Sequence, residues 1–458
     1  MSDHGATARD VAVRALRDRG GNVTAHVDRF AGTNAPPAEK ALARELALGV
    51  LRRRGTLDAV LRAYLRQADR RPPGPVQEIL QVALYQLLFL DRVPDFAAVS
   101  EAVAQTGRFG HNRQSKFVNG VLRGITRELS AAAEEGLPPA ADVIPTSPRA
   151  GRRIGREVFP SPADDPGGYL AAAYSLPESL AGRWVARFGG LAGALPIAAQ
   201  AAARAPLLVR PNTLKGSVEE ILAALQTEGA QAQLHAGGRC IVLEGVANVQ
   251  QMAALKAGLI QPQDATAAAV APACEVQPGM NVLDFCAAPG TKTTHLAERM
   301  ANRGRIVALD VSQEKLSRID DSCRRMGISI VTTMLAENVA QLPEASFDLA
   351  LVDAPCSNTG VLARRAEARW RCDDRSFSAL AADQQILAGL AARYVRPGGR
   401  LVYSTCSIEP EECGELARAL VKKNPRLKLV RDELTLPGGA DEPACWRDGG
   451  YTAIFDVR

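Results

Sequence analysis

The sequence predicts a multidomain protein with an all-α N-terminal domain, a small mixed α/β intermediate subdomain, and a C-terminal α/β domain on a largely parallel sheet. Three observations lead to this fold class. Apolar residues recur at three- and four-residue spacing up to about residue 130, and a stretch rich in Pro, Ala, Gly and Ser follows. Strands then alternate with helices toward the C-terminus, a pattern typical of parallel sheets covered on both faces.

The length of 458 residues exceeds what one ordinary core requires, so several domains are expected. Helical spacing recurs in four N-terminal segments: 42–51, 57–65, 76–90 and 117–129. The domain boundaries that we expect are 1–140 for the all-α domain, 141–168 for a linker, 169–265 for the intermediate subdomain and 266–458 for the C-terminal domain.

The positive charge is concentrated near the N-terminus. Residues 1–150 carry 21 Lys and Arg against 16 Asp and Glu, which accounts for the whole net charge of +5. Basic clusters at 52–54 and 70–71 could contact phosphates, although a solvated helix face explains either cluster equally well. The charge alone therefore decides nothing about nucleic acid.

The nine cysteines are scattered, and no two of them form a Cys-x-x-Cys pair. The five histidines show no metal-ligand spacing. This usage favours a reducing cytoplasm and no metal site. No apolar run approaches the roughly 20 residues that cross a bilayer, so we expect no membrane segment. Nothing in the sequence demands a partner chain, and we expect a cytoplasmic monomer.

A turn of small residues follows the strand predicted at 281–284 and leads into a helix from about Thr291. Small side chains let the backbone approach a ligand, and the helix N-terminus offers free N–H groups. A phosphate-binding P-loop needs Gly-Lys-Ser/Thr, whereas this turn has Thr291 between Gly290 and Lys292, so that alternative fails. Asp310 ends the next strand, where a carboxylate can accept hydrogen bonds from ribose hydroxyls. These features indicate a nucleoside cofactor.

Two cysteines follow strands of the same predicted sheet. Cys356 lies in Asp-Ala-Pro-Cys-Ser and Cys406 in Ser-Thr-Cys-Ser, and Asp353 precedes the first cysteine by three residues. A lone cysteine at a strand end is usually an inert buried residue. Two of them at the carboxyl ends of parallel strands, with an acid beside one, indicate a catalytic site. From the residues alone, either thiol could be the nucleophile.

These motifs resemble the signatures of the RNA 5-methylcytosine methyltransferase family, which are Cys-Ala-Ala-Pro-Gly, Asp-Ala-Pro-Cys-Ser and Thr-Cys-Ser. The N-terminus resembles the NusB-like RNA-binding domain, most clearly at 116–123, and residues 210–215 resemble the family's intermediate subdomain. The arrangement is similar to that of the bacterial RsmB (Sun/Fmu) family of ribosomal RNA methyltransferases. The resemblance implies a Rossmann-like methyltransferase fold for the C-terminal domain.

The resemblance implies S-adenosylmethionine-dependent methylation of carbon 5 of a cytosine in small-subunit (16S) ribosomal RNA. It makes Cys406 the nucleophile that adds to ring carbon 6, Cys356 the residue that assists release, and Asp353 the carboxyl that contacts the base. Carbon 5 becomes nucleophilic only after a thiolate has added to carbon 6, so the reaction needs a thiol that adds, a group that assists its release and a carboxyl that contacts the base. The implied cofactor contacts are Cys286, Ala287, Ala288, Pro289, Gly290, Thr291, Lys292, Asp310, Glu337 and Asp353.

Three positions depart from the family pattern. Thr291 stands where a second Gly is usual, Glu337 where an Asp is usual, and Asn358 where Gly or Ala is common. Two other functions stay open. A transfer-RNA cytosine methyltransferase shares the catalytic motifs, although the NusB-like domain argues against it. A non-catalytic RNA-binding or antitermination factor would be expected to have lost a cysteine or the cofactor acid.

Overall fold

The computed structural model describes residues 7–18, 23–31, 35–65, 72–246 and 248–458. The chain divides into two compact units, residues 1–203 and residues 204–458. The basic pair predicted at 70–71 lies outside the described residues. Within the described ranges, no helix combines the length and the apolar character that a membrane span requires.

The first unit is mainly helical, as predicted. Its helices are α1 (Ala8–Arg17), α2 (Val23–Ala31), α3 (Pro37–Tyr64), α4 (Val76–Phe89), α5 (Asp95–Arg108), α6 (Ser115–Glu128), α7 (Pro166–Tyr174), α8 (Glu178–Arg187) and α9 (Leu191–Ala202). The segments predicted at 42–51 and 57–65 form the single helix α3. Gly55, between them, stays helical and lets the backbone of Ser175 approach closely.

The stretch 141–168, predicted as a linker, contains regular structure. Strands β1 (Glu134–Glu135), β2 (Val143–Pro145) and β3 (Ala150–Arg153) form an antiparallel sheet in the order β1-β3-β2. Val143 and Ile144 are buried, and Arg53 donates a hydrogen bond to the Pro145 carbonyl at 3.1 Å. Two apolar residues in a Pro-rich stretch do not show the alternation of a strand, so the sequence did not predict these strands. Arg53 is thus a buried structural cation rather than a phosphate contact.

The second unit begins with a four-stranded antiparallel sheet in the order β5-β6-β4-β7. Its elements are β4 (Leu207–Pro211), α10 (Val218–Thr227), β5 (Gln231–Leu234), β6 (Ile241–Glu244), α11 (Ala253–Lys256) and β7 (Ile260–Pro262). The boundary between the units divides the subdomain predicted at 169–265. Helix α7 belongs with the first unit because it packs against α3, where Thr56 donates a hydrogen bond to the Ala173 carbonyl at 2.9 Å.

A seven-stranded sheet forms the core of the second unit, in the order β10-β9-β8-β11-β12-β14-β13. Its strands are β8 (Asn281–Asp284), β9 (Arg305–Asp310), β10 (Val331–Leu335), β11 (Phe347–Asp353), β12 (Val395–Thr405), β13 (Leu427–Thr435) and β14 (Gly450–Val457). The helices of this region are α12 (Ala265–Ala273), α13 (Thr291–Arg299), α14 (Gln313–Met326), α15 (Asp374–Tyr394) and α16 (Gly414–Lys423).

The first five strands in that order are parallel, β14 is antiparallel to β12, and β13 is antiparallel to β14. Buried apolar clusters lie on this sheet, and the strands that they cover read as near-continuous apolar runs. The predicted, largely parallel sheet is confirmed. Its carboxyl edge carries the ends of β8, β9, β11 and β12, where ligands of such sheets bind.

Candidate active site

The turn at 286–290 connects β8 to α13 and is held by backbone hydrogen bonds to neighbouring strands. The Ala287 N–H donates to the Leu309 carbonyl at 2.9 Å, which ties the turn to β9. The positive φ of this turn falls on Gly290, at +94°, while Thr291 is the first residue of helix α13. Thr291 therefore needs no glycine-like conformation, and its departure from the family pattern leaves the backbone of the turn intact.

Asp284, at the end of β8, is completely buried behind this turn. Its Oδ2 accepts a hydrogen bond from the Thr293 hydroxyl at 2.7 Å, and its Oδ1 has no partner within the described part of the chain. Burial raises the pKa of Asp284 to about 7, although the Thr293 hydrogen bond opposes that rise. An unpaired buried carboxylate oxygen fits a cationic ligand group. Asp284 was not among the predicted site residues.

Asp310 lies at the end of β9, one strand away. Its carboxylate accepts a hydrogen bond from the Ala288 N–H at 3.3 Å, so it is joined directly to the turn. The next residue, Val311, is 81% exposed, which places an apolar side chain in solvent beside the acid. Glu337 follows β10 at the same edge and is exposed. Val311 was missed because a single exposed valine gives no periodic signal.

Lys292 and Asp353 form an ion pair between the cofactor turn and the end of β11, with Nζ and Oδ1 2.7 Å apart. Burial of Lys292 favours its neutral form, but the Asp353 carboxylate outweighs burial and raises the lysine pKa. Lys292 is therefore charged at neutral pH. The pair leaves the Asp353 side chain partly exposed, so this carboxyl remains accessible from the sheet edge.

Cys356 and Cys406, predicted to meet at one edge, have their sulfur atoms 3.1 Å apart. Both residues are half-buried. The contact between the two sulfur atoms lowers the pKa of Cys356 and raises the pKa of Cys406. The two thiols therefore titrate as a pair, and the pair loses its first proton more easily than its second.

A buried carboxylate, Glu412, lies beneath this cysteine pair. It accepts hydrogen bonds from the Ser357 N–H at 2.9 Å and from the hydroxyls of Ser357 and Ser407, the residues that follow the two cysteines. Gln384 of α15 donates to the same carboxylate at 2.8 Å and to the Pro355 carbonyl at 2.8 Å. Glu412 therefore connects both cysteine turns to one buried network.

Arg210, on β4, connects the four-stranded sheet to the cofactor helix. Its guanidinium forms a buried ion pair with Glu298 at 2.6 Å and donates to the Thr291 carbonyl at 2.9 Å. Further hydrogen bonds reach Gln263 and Thr294. The motif that resembled the intermediate subdomain thus supports the first turn of α13 from behind.

The other cysteines are less suited to nucleophilic chemistry. Burial raises the pKa of Cys286 to about 12, so this residue of the cofactor turn stays a neutral thiol. Burial likewise raises the pKa of Cys240 and of Cys372 to about 12 and that of Cys323 to about 11. Cys356 is distinguished from these thiols by its lowered pKa.

Three segments of the chain match known families. Residues 271–442 match the family described as 16S rRNA methyltransferase RsmB/F. Residues 6–127 match the NusB family, and residues 176–250 match the ferredoxin-like domain of RsmF/B-like methyltransferases. These matches confirm the predicted fold class, from the NusB-like N-terminus to the methyltransferase domain.

Curated relatives align with most of the chain. The probable ribosomal RNA small subunit methyltransferase B of Bacillus subtilis is 31% identical over 84% of this chain and 80% of its own length. The probable ribosomal RNA small subunit methyltransferase B of Synechocystis is 32% identical over 89% of this chain and 87% of its own length. The ribosomal RNA small subunit methyltransferase B of Vibrio cholerae is 31% identical over 92% of this chain and 90% of its own length. These alignments confirm the resemblance inferred from the motifs.

Solved structures share the fold. The crystal structure of PH0851 covers 98% of this chain and 98% of its own, with a TM-score of 0.74 and 23% identity. A methyltransferase homolog protein from Pyrococcus horikoshii covers 63% of this chain and 98% of its own, with a TM-score of 0.54 and 25% identity.

Proposed function

Because the chain belongs to the ribosomal RNA small subunit methyltransferase B family, we propose that it methylates carbon 5 of a cytosine in 16S ribosomal RNA. The observation that carries this proposal is the cysteine pair, with its sulfur atoms 3.1 Å apart at the edge where the cofactor turn lies. Two adjacent thiols, one of them easily ionised, suit a reaction in which one sulfur adds to the base and the other handles a proton.

The chemistry can be assigned to side chains in turn. Cys406 attacks ring carbon 6 as a thiolate, which makes carbon 5 an enamine carbon able to accept a methyl group. S-adenosylmethionine, when bound, supplies that methyl group on a sulfonium centre. Cys356 then removes the proton from carbon 5, and the Cys406 sulfur leaves carbon 6 to restore the aromatic ring. The order of the two thiols follows the family resemblance.

Asp353 suits contact with ring nitrogen 3, because its carboxyl is partly exposed and lies three residues from Cys356. Lys292 holds this carboxyl from the side of the cofactor turn. Nitrogen 3 of cytosine is an acceptor, so a carboxyl that donates a hydrogen bond or a proton to it favours thiolate addition at carbon 6, because this stabilises the electron density that addition pushes into the ring.

The residues around the turn fit S-adenosylmethionine. The unpaired, buried Asp284 Oδ1 fits the ammonium group, and Asp310 fits the ribose hydroxyls. Val311 offers an apolar contact for the adenine face, and Glu337 would lie on the adenine side. Cys286, Ala287, Ala288, Pro289, Gly290 and Thr291 would supply the backbone that lies against the cofactor.

A transfer-RNA substrate is the alternative within the same chemistry. The match of residues 6–127 to the NusB family favours a ribosomal substrate, since the named relatives that carry this arrangement are ribosomal RNA enzymes. Bisulfite sequencing of total RNA from a deletion strain separates the two. We expect one 16S cytosine mark to disappear and to return with the wild-type gene; survival of every 16S mark would refute the ribosomal substrate.

A further inference from the structure

Asn358 contacts both cysteines of the pair and adopts a left-handed backbone conformation with φ +64°. Its side-chain Nδ2 donates a hydrogen bond to the Cys356 carbonyl at 2.7 Å. That bond fixes the orientation of the amide, because the carbonyl oxygen of Cys356 can only accept. The other amide atom, Oδ1, consequently faces the Cys406 sulfur at 3.4 Å.

The orientation of this amide determines which of the two cysteine sulfur atoms is favoured to carry a proton. Oδ1 has no proton to donate, so it favours Cys406 as a neutral S–H and disfavours a thiolate there. The Cys356 sulfur lies 3.1 Å from the Cys406 sulfur, a contact in which either thiol can donate. The Thr405 side chain and the Asn358 backbone N–H favour the ionised form of Cys356. Cys406 therefore has an atom beside it that can only accept, whereas Cys356 has two donors beside it besides the other thiol.

Charged groups around the pair act in both directions. Asp353 opposes ionisation of Cys406 and Lys292 favours it, but these two are paired with each other at 2.7 Å. Glu412 opposes ionisation of Cys356 from below, and its carboxylate is already shared among four hydrogen-bond donors. The amide of Asn358 is a neutral group that distinguishes between the two sulfur atoms by direct contact.

We propose that, when the pair holds a single proton, Asn358 keeps that proton on Cys406, so that Cys356 is the resting thiolate and serves as the base that activates Cys406. In the activation step the S–H bond of Cys406 breaks, its electron pair stays on that sulfur, and the proton forms a new bond to the Cys356 sulfur. Cys356, which is half-buried, passes that proton to solvent before it removes the proton from carbon 5. Nothing is oxidised or reduced. The roles of the thiols toward cytosine rest on the proposed function, whereas the position of the proton in the free enzyme does not.

Alkylation by iodoacetamide tests this assignment in the full-length protein without RNA or cofactor. Thiolates react and thiols do not, so the rate at each cysteine, followed by peptide mass spectrometry, reports its ionisation. At pH 7 we expect Cys356 to react faster than Cys406. Faster reaction at Cys406 in the wild-type protein would overturn the proposal.

Asn358→Gly removes the amide at a position whose φ glycine adopts freely. We expect the Cys406-to-Cys356 rate ratio to rise about fivefold, the effect of losing one modest hydrogen bond, and the pH midpoint of Cys406 alkylation to fall. Asn358→Asp puts an anion beside Cys406 and should move the ratio in the opposite direction. An unchanged ratio of the two alkylation rates would overturn the proposal. A change in the maximal alkylation rates without a shift in the pH midpoint of Cys406 would overturn it as well.

Asn302→Gly is the matched control, since Asn302 is another asparagine with positive φ in the same unit, at +52°, and its amide bonds to residues 327 and 329. It should keep the wild-type ratio; a ratio that shifted as in Asn358→Gly would contradict a specific role for Asn358. Failure of the proposed function would appear separately, as the absence of an RNA adduct, because alkylation requires no RNA.

Discussion

Lys292 Nζ lies 2.7 Å from Asp353 Oδ1, so one ion pair joins the cofactor turn to the strand end that leads to Cys356. The lysine is largely shielded from solvent, and the pair raises its pKa despite burial. A change in either residue therefore affects the cofactor side and the base side of the site together.

Asp353→Asn should reduce methyl transfer to 16S ribosomal RNA by about 100-fold or more, the range for losing a positioned acid or base. The substitution removes the carboxyl near the base and leaves the Lys292 charge without its partner. Steady-state kinetics with purified RNA would measure the loss. Asp383→Asn, an exposed acid on α15, is the control and should retain full activity. Wild-type rates in Asp353→Asn would exclude the carboxyl from the mechanism.

Glu412→Ala should lower the free energy of unfolding by about 2–4 kcal/mol, because buried donors on Ser357, Ser407 and Gln384 lose their acceptor. Urea denaturation measures this change. Glu415→Ala, an exposed acid three residues later, should stay within about 0.5 kcal/mol of wild type. Equal stability of the two variants would show that Glu412 does not connect the cysteine turns energetically.

Arg210→Ala should cost about 3–5 kcal/mol of unfolding free energy, since it leaves the Glu298 carboxylate buried and unpaired. It should also weaken S-adenosylmethionine binding in calorimetric titration, because the guanidinium donates to the Thr291 carbonyl. Arg318→Ala breaks only an exposed ion pair with Glu314 and should change stability by less than about 0.5 kcal/mol. A small and similar loss of unfolding free energy in both variants would show that Arg210 does not stabilise the start of α13.

Binding of S-adenosylmethionine should weaken as the pH falls below about 7, because protonation of Asp284 removes the negative charge that attracts the ammonium group. The same titration has the opposite effect on folding stability, which is greater at low pH. The pKa of Asp284 is raised on folding, so the folded state binds this proton more tightly, and this group's contribution to stability declines as the pH rises toward 7. Titration calorimetry between pH 5.5 and 8.5 should show the dependence in wild type and a flatter profile in Asp284→Asn. Identical profiles would rule out Asp284 as the ammonium contact.

The sequence was sufficient to predict the parallel strands β8, β9, β11 and β12 and the edge at which they end. Apolar runs ended at Asp284, Asp310 and Asp353, and carboxyl ends of parallel strands necessarily meet, so Cys356 and Cys406 were expected together. The edge strands β10 and β13, and β14 beside β13, were not predicted. Most side chains of β13 are exposed, so its apolar pattern is weak.

The supporting network could not be predicted, because its contacts join residues far apart in the chain. Glu412 reaches Ser357 across 55 positions, and Arg210 reaches Glu298 across 88. Neither residue lies in a pattern that marks it as buried, since acids and arginines are usually exposed. The orientation of the Asn358 amide likewise depends on a hydrogen bond that only the folded turn provides.

The most direct test of the account is adduct formation on 16S ribosomal RNA in the presence of S-adenosylmethionine. Cys356→Ala should accumulate a covalent protein–RNA complex that survives denaturing electrophoresis, with the crosslink mapped to Cys406. Without Cys356 the Cys406 proton is lost to solvent, so addition is slower, but release is blocked and the complex persists. Cys406→Ala and the double variant should form no complex and transfer no methyl group. Full methyl transfer by Cys406→Ala, or a crosslink mapped to another residue, would contradict the assignment of Cys406 as the nucleophile.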